Sequence, residues 1–268
     1  MADQDPLAQY VAQHARRALD GLDAAAEDPD VEVEVVHGTR TSLRRLRASL
    51  RTFSGSFPAP GDLDEDLRFV GLAFGEFRDA DVLGGILLPA LDALPSDLVL
   101  GPAREDLAEA LRTRRRRGVE ALPTAVTDSR WQRAAAQLRQ WCEHPPALTE
   151  HDHHKRLKRA RRTVRRRVRD ASGEPEALHS ARKAAKCWRY AAELLVPVEP
   201  SASKHLARAT EAQELLGQVQ DAAIAAQFLR EHAELGARSG HNAFSTGLLH
   251  AGLQRRFDEL SREALELF

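Results

Sequence analysis

Apolar residues along this chain recur in steps of three and four between clear breaks, the rhythm of helices that bury one face. Val36, Leu43, Leu46, Leu50 and Phe53 trace one such stripe; Leu178, Ala185, Trp188, Ala192 and Leu195 trace another. Cutting the chain at its breakers predicts helices near 6–27, 31–54, 62–94, 97–121, 126–143, 149–171, 174–196, 201–236 and 240–267. Gly84-Gly85 and Pro89 mark the weak points of the third. Short connections imply antiparallel neighbours. The expected fold is all-α: two tandem four-helix bundles, unit one over about 6–122 and unit two over about 149–267. A shorter helix at 126–143, carrying Trp131, Leu138 and Trp141, bridges them ahead of Pro145-Pro146.

The two units are copies. His37-Gly38-Thr39-Arg40, continuing to Arg44 and Arg47, reappears as His179-Ser180-Ala181-Arg182, continuing to Lys186 and Arg189. The block from Gly75 to Asp79 reappears from Gly217 to Asp221. Both blocks share one offset (179 − 37 = 142; 221 − 79 = 142), and two separated matches at one spacing indicate a duplicated unit.

The duplication carries charge. His37, Arg40, Arg44, Arg47 and Arg51 lie on one side of their helix, about 100° from the apolar stripe. His179, Arg182, Lys186 and Arg189 repeat the design until Glu193 takes the place of Arg51. An arginine-rich helix is ordinarily a solvated face laced with salt bridges, but these stripes hold almost no acidic partners of their own. Net charge is −1, yet residues 1–122 hold 15 basic against 22 acidic side chains, leaving 24 against 18 for residues 123–268. Lys155 to Arg169 is the extreme, with ten basic residues in fifteen, no acid, and a seam of Leu157, Ala160, Val164 and Val168. Arg114 to Arg117 form a further basic run, and the offset maps Arg114 onto Arg256, beside Arg255. These segments read as a nucleic-acid arm, a solvated helix, or a wall facing a polyanion.

Only 5% of residues are aromatic, which favours helix over sheet. Cys142 and Cys187 are too few for a disulfide framework, so a reduced, cytoplasmic protein is expected. The acidic N-terminus lacks an apolar leader, and no apolar run approaches a membrane span, so no membrane partner is expected. The motif histidines suit phosphate hydrogen bonding, a structural role, phosphoacceptor chemistry or metal binding. Asp79 and Asp221 are read as orienting a motif histidine or arginine across the bundle. His151 and His154 have i,i+3 spacing for a metal but stand at a helix start where exposure is expected, so no metal and no cofactor are assigned. Glu32-Val33-Glu34-Val35-Val36 approaches the E-x-E-x-K strand motif of triphosphate tunnel enzymes but ends on valine. With no P-loop and no nucleophile constellation, no catalytic residue is expected.

These motifs resemble the CHAD family, histidine-bearing α-helical domains associated with inorganic polyphosphate. The resemblance rests on H-x-x-R-x-x-x-R-x-L-R, seen as His37-Arg40-Arg44-Leu46-Arg47 and, with substitutions, as His179-Arg182-Lys186-Trp188-Arg189. It extends to the Gly75–Asp79 and Gly217–Asp221 blocks and the basic helix at 155–169, over nearly the whole chain. It implies one domain of two four-helix bundles, an internal repeat about a pseudo-twofold axis, that binds polyphosphate on basic surfaces near their junction, without catalysis of its own. Unit one departs, since His14, Arg16 and Arg17 are the only basic residues of its first helix.

The candidate polyphosphate contacts are His37, Arg40, Arg44, Arg47, Arg51, Arg114, Arg115, Arg156, Arg159, Arg162, Arg166, His179, Arg182, Lys183, Lys186, Arg189, Arg255 and Arg256. Arginine suits them because its planar fork donates bidentately to phosphate oxygens. Few aromatics accompany these faces, which weighs against single-stranded nucleic acid. The expected function is recruitment or organisation of polyphosphate, among granule or polyphosphate-metabolising proteins. A nucleic-acid binder, a protein scaffold, or an accessory to a polyphosphate- or triphosphate-processing enzyme are the alternatives.

Overall fold

The structure, a computed structural model, describes residues 5–54, 58–147, 152–238 and 240–268. Its described residues form ten α-helices, one short 3₁₀ turn and no strand, as the all-α expectation requires. In chain order these are α1 (Pro6–Glu27), α2 (Val33–Thr52), α3 (Leu63–Ala73), α4 (Gly75–Asp92), α5 (Ala103–Val126) and α6 (Ser129–Glu143). The remaining four are α7 (His153–Arg169), α8 (Pro175–Leu195), α9 (Ala202–Arg238) and α10 (Phe244–Glu266). No helix among the described residues is long and apolar enough to cross a membrane.

Local chemistry starts several of them. Asp5, Asp128 and Asp152 cap α1, α6 and α7 by accepting backbone N–H groups of Leu7, Arg130 and Lys155. Pro6 and Pro175 open α1 and α8, where a missing N–H costs nothing.

The helix expected over 62–94 breaks at Phe74 rather than at Gly84-Gly85 or Pro89. Phe74 is fully buried with its ring 5.7 Å from Trp131, so tertiary packing fixes the bend. Pro89 is tolerated because Gly85, whose carbonyl loses its partner, is exposed and can be hydrated. The second copy has no such break: α9 runs unbroken through the equivalent residues.

That difference reshapes the core. One cluster joins α1, α2, α3 and α6 around Leu43, Leu46, Leu67, Phe74, Trp131 and Leu138. A second joins α7, α8, α9 and α10 around Leu157, Leu178, Trp188, Leu195, Leu216 and Phe257. A third belongs to neither unit alone: Leu83, Leu87 and Leu91 of α4 and Leu107 and Leu111 of α5 meet Ala225, Leu229 and Leu249 of α9 and α10. The hydrophobic burial therefore divides three ways, not between two separate four-helix cores. The helix expected to bridge, α6, packs into the first unit against α1 and α3, where Arg133 holds the buried carboxylate of Asp66 at 2.6 and 2.8 Å.

Where the sequence repeat fails, the halves are clamped. Glu193 accepts from Arg45 Nε at 2.6 Å and Nη2 at 3.2 Å, across α8 and α2, and also from the Tyr10 hydroxyl at 3.4 Å. The two charged side chains are 17% and 23% exposed, so water screens the pair little. Truncating Glu193→Ala strands a half-buried guanidinium and should cost about 1.5–3 kcal/mol in urea unfolding. An Arg45→Ala/Glu193→Ala cycle should show a coupling of at least about 0.5 kcal/mol, and strict additivity would show the clamp to be idle.

Candidate functional site

Four helices converge on a cleft of about 250 Å³ between the two halves. From the first unit come His37, Arg40 and Arg44 on α2 and Arg78 and Asp79 on α4; from the second come Arg182 and Lys186 on α8 and Asp221 and Gln213 on α9. The periodicity explains the arrangement. Arg40 and Arg44, like Arg182 and Lys186, are one turn apart, while Leu43 and Leu46, or Ala185 and Trp188, anchor the adjacent faces in their cores. Equivalent positions of the repeat thus line one space: Arg40 with Arg182, Arg44 with Lys186, Asp79 with Asp221.

Glycine makes room for the arginines. A Cβ added at Gly75 would touch Arg40 Nη1 at 3.6 Å, and one at Gly217 would touch Arg182 Nε and Nη2 at 3.7 Å. An alanine methyl would make ordinary contact there, while a side chain reaching further would press on the guanidinium. Arg40 Nη1 donates to the Gly71 carbonyl at 2.7 Å, and Arg44 Nη2 to the Thr41 hydroxyl at 3.0 Å. Arg182 stands 3.9 Å from Asp221, an ion pair too long for a hydrogen bond. The Nε–H groups of Arg40, Arg44 and Arg182 are nevertheless buried without a hydrogen-bond partner among the described residues, as is Gln213 Oε1. Buried unpaired donors are costly, and here three lie around one cleft.

Crowding shifts the titrations. Burial, then Arg182, Arg44 and Arg40, pull the Lys186 ammonium from its ordinary 10.5 to about 7, with Asp221 opposing them. Burial lowers Arg40 and Arg182 and raises the Asp221 carboxyl. His37 is lowered by burial and then by Arg78, Arg44 and Arg40; His179 is lowered by burial, with a hydrogen bond to Gln220 opposing it. Arg78 and Gln220 are equivalent positions (78 + 142 = 220), each acting on the histidine of its own unit. A space this cationic stabilises bound negative charge.

The remaining candidates scatter. His179 turns to Gln220 and does not line the cleft. Arg47 and Arg51 are both held by Asp64 of α3, at 2.9 and 2.7 Å, an acid 17 and 13 residues ahead that a helical repeat cannot reveal. Arg115 pairs with Asp30, and Arg114 lies beside it on α5. Arg189 lies over the Tyr190 ring at 5.8 Å, and Arg255 and Arg256 are exposed on α10, the latter paired with Glu259. Arg51, Arg156, Arg159 and Lys183 surround a separate cleft on α7, and Arg162 and Arg166 lie exposed on the same helix. Asp79 and Asp221 line the central cleft, with Asp221 nearest Arg182.

Sequence reasoning missed Arg78, Tyr190 and Gln213. Their repeat counterparts are Gln220, Ala48 and Gly71, so matching the copies passed over them. His151 lies outside the described residues, and His154 instead hydrogen-bonds Ser201 at 2.9 Å. Among the described residues, no three His, Cys, Asp or Glu side chains are grouped to hold a metal ion.

Residues 9–230 match the CHAD domain. The chain belongs to the CHAD family. The proteins "Uncharacterized protein MT2285" and "Uncharacterized protein Rv2226", from two strains of Mycobacterium tuberculosis, are each 28% identical over 278 residues, covering 98% of this chain. The chain spans about half, 52%, of the length of these curated relatives. Two solved structures share the CHAD fold at 23% identity: PptA from Streptomyces chartreusis and the CHAD domain from the plant Ricinus communis. The first gives a TM-score of 0.79, covering 98% of this chain and 97% of its own; the second gives 0.69, with 98% and 92%.

The Lys186 environment of this CHAD domain makes stability pH-dependent. The unfolded chain holds that proton up to about pH 10.5 and the folded one only up to about 7, so stability rises with pH between them. Lys186→Met should be more stable than wild type near pH 7 and should flatten the rise in urea midpoint between about pH 7 and 9. An unchanged slope would place the ammonium in water.

Proposed function

We propose that this CHAD domain binds inorganic polyphosphate in the central cleft and recruits or organises the polymer without chemistry of its own. One observation carries the reading: guanidinium groups from both halves converge with buried N–H donors that no described protein group accepts. A phosphate chain brings about one negative charge per unit and oxygens on every side, so it relieves the mutual repulsion and supplies the acceptors together. Cations held on rigid helices are ordered in advance, which lowers the cost of binding. The pairing of equivalent residues across the cleft supports a pseudo-twofold relation between the units, so a chain with no inherent direction meets similar contacts from each side. Tyr190, the cleft's largest aromatic residue, is buried, so it offers no exposed platform for stacked bases. That weighs against single-stranded nucleic acid. A polymer-binding module of this kind suits a place on polyphosphate granules or beside polyphosphate-metabolising proteins.

Arg40→Ala/Arg44→Ala and Arg182→Ala/Lys186→Ala should each weaken long-chain polyphosphate binding in calorimetry, by roughly 1.5–3 kcal/mol per desolvated contact, with unchanged circular dichroism. Wild-type affinity in both would remove the cleft from the mechanism. Affinity should fall steeply between about 50 and 200 mM salt, and duplex and single-stranded nucleic acid should compete poorly at fixed salt. Tighter binding to nucleic acid would transfer the site to that ligand.

Binding should also take up protons. A bound polyanion raises the depressed titrations of Lys186 and His37, so affinity should increase as pH falls from about 8 to 6. Calorimetry in two buffers of different ionisation enthalpy reads the uptake directly. Lys186→Met should remove most of it near pH 8, and His37→Gln the part near pH 6. Equal heats in both buffers would mean that neither group titrates on binding.

A further inference from the structure

The first cleft is not the only basic hollow. Between the end of α2, α7 and α8 lies another of about 500 Å³, bordered by Arg51, Arg156, Arg159, Arg167 and Lys183, with Cys187 in its wall and no carboxylate among the described residues of its lining. Arg51, Arg156 and Arg167 are braced by protein acceptors: Asp64, the Thr52 carbonyl and the Ser180 carbonyl. Arg159 and Lys183 are exposed at its rim. Braced guanidinium groups around a roomy hollow, with two exposed cations at its edge, match the chemistry of phosphoryl oxygens.

The other unit tests whether this charge is incidental to an arginine-rich helix. Adding 142 to the position of Arg51, and subtracting it from the α7 and α8 positions, places Glu193, His14, Arg17, Ala25 and Thr41 where Arg51, Arg156, Arg159, Arg167 and Lys183 stand. Four of five cations are gone. The position of Cys187 holds Arg45, whose charge is spent on Glu193. His14 is buried against Tyr10 and Ser42, and burial followed by Arg45 and Arg17 lowers it to about 3, so it is neutral. Close packing completes the closure, since a Cβ at Gly21 would lie 1.7 Å from Thr39 Oγ1. At the matching place on α7, Thr163 fits and lines the open hollow. The duplicated scaffold has thus closed and neutralised one copy of this cleft while keeping the other open and cationic.

We propose that the α2–α7–α8 cleft is a second anion site, present in one unit only, that takes a run of phosphoryl groups independently of the central cleft. The inference rests on the polyphosphate reading for the class of its ligand. A one-sided second site makes the domain polar with respect to a polymer that is not: one end of a bound chain, or a second chain, meets α7 and the other does not.

The test uses tripolyphosphate as the probe, at fixed salt, on the full chain in a Cys142→Ser background. Calorimetry should count two sites in the parent, and one in both Arg159→Ser/Lys183→Ser and Arg40→Ala/Arg182→Ala. Because Cys187 lines only the second cleft, its alkylation by iodoacetamide should slow when tripolyphosphate is added to the parent and to the central-cleft variant. In Arg159→Ser/Lys183→Ser that protection should need about tenfold more ligand. One site in the parent, lost with the central variant, and no protection of Cys187 would overturn the second site while leaving the central one standing. Protection and stoichiometry that depend on Arg159 and Lys183 alone would uphold the second site and remove the central one. Equal protection by a nucleic-acid oligomer at the same phosphate concentration would overturn the assignment to phosphoryl chains.

Discussion

Repulsion between cations brought into one poorly hydrated space is the constraint around which this domain is built. Arg40, Arg44, Arg182 and Lys186 could lower their energy by moving apart into water, yet each is rooted in a helix whose opposite face is locked in a leucine-, alanine- and tryptophan-rich core. Hydrophobic burial holds the charges together, and the strain surfaces where the chemistry is softest, as a lysine at the edge of losing its proton near neutrality. The cations are thus held in register by the cores alone, with no counter-charge needed to place them.

The same balance explains why the copies differ. A faithful copy of Arg51 at position 193 would set another cation beside Arg45 at the junction. The chain instead places an acid, Glu193, at one repeat position and a carboxylate, Asp64, under two arginines of the other unit. Acids thus pair Arg45, Arg47 and Arg51 at the periphery, while Arg40, Arg44 and Arg182 keep buried Nε–H groups with no acceptor among the described residues.

Much of this was legible in the sequence because helices write their packing at short range. Helix bounds, the duplicated blocks, and seven of the residues lining the central cleft, from His37 to Asp221, follow from three- and four-residue spacing and one offset. What stayed hidden is what spacing cannot carry. Asp64 reaches Arg47 and Arg51 from another helix, Phe74 bends its helix through a contact with Trp131, and the third core depends on where that bend sends α4. Arg78 and Gln213 were hidden for a different reason: they stand where the copies disagree, so the repeat does not mark them.

The bend at Phe74 also bears on cooperativity. While the end of α5 stays in the first unit's core through Leu122, the bend sets Leu83, Leu87 and Leu91 of α4 in a cluster completed by α9 and α10. A half-length descendant would carry an orphaned leucine ridge into water, inviting aggregation. Neither half closes its own surface, so the two copies fold as one cooperative object.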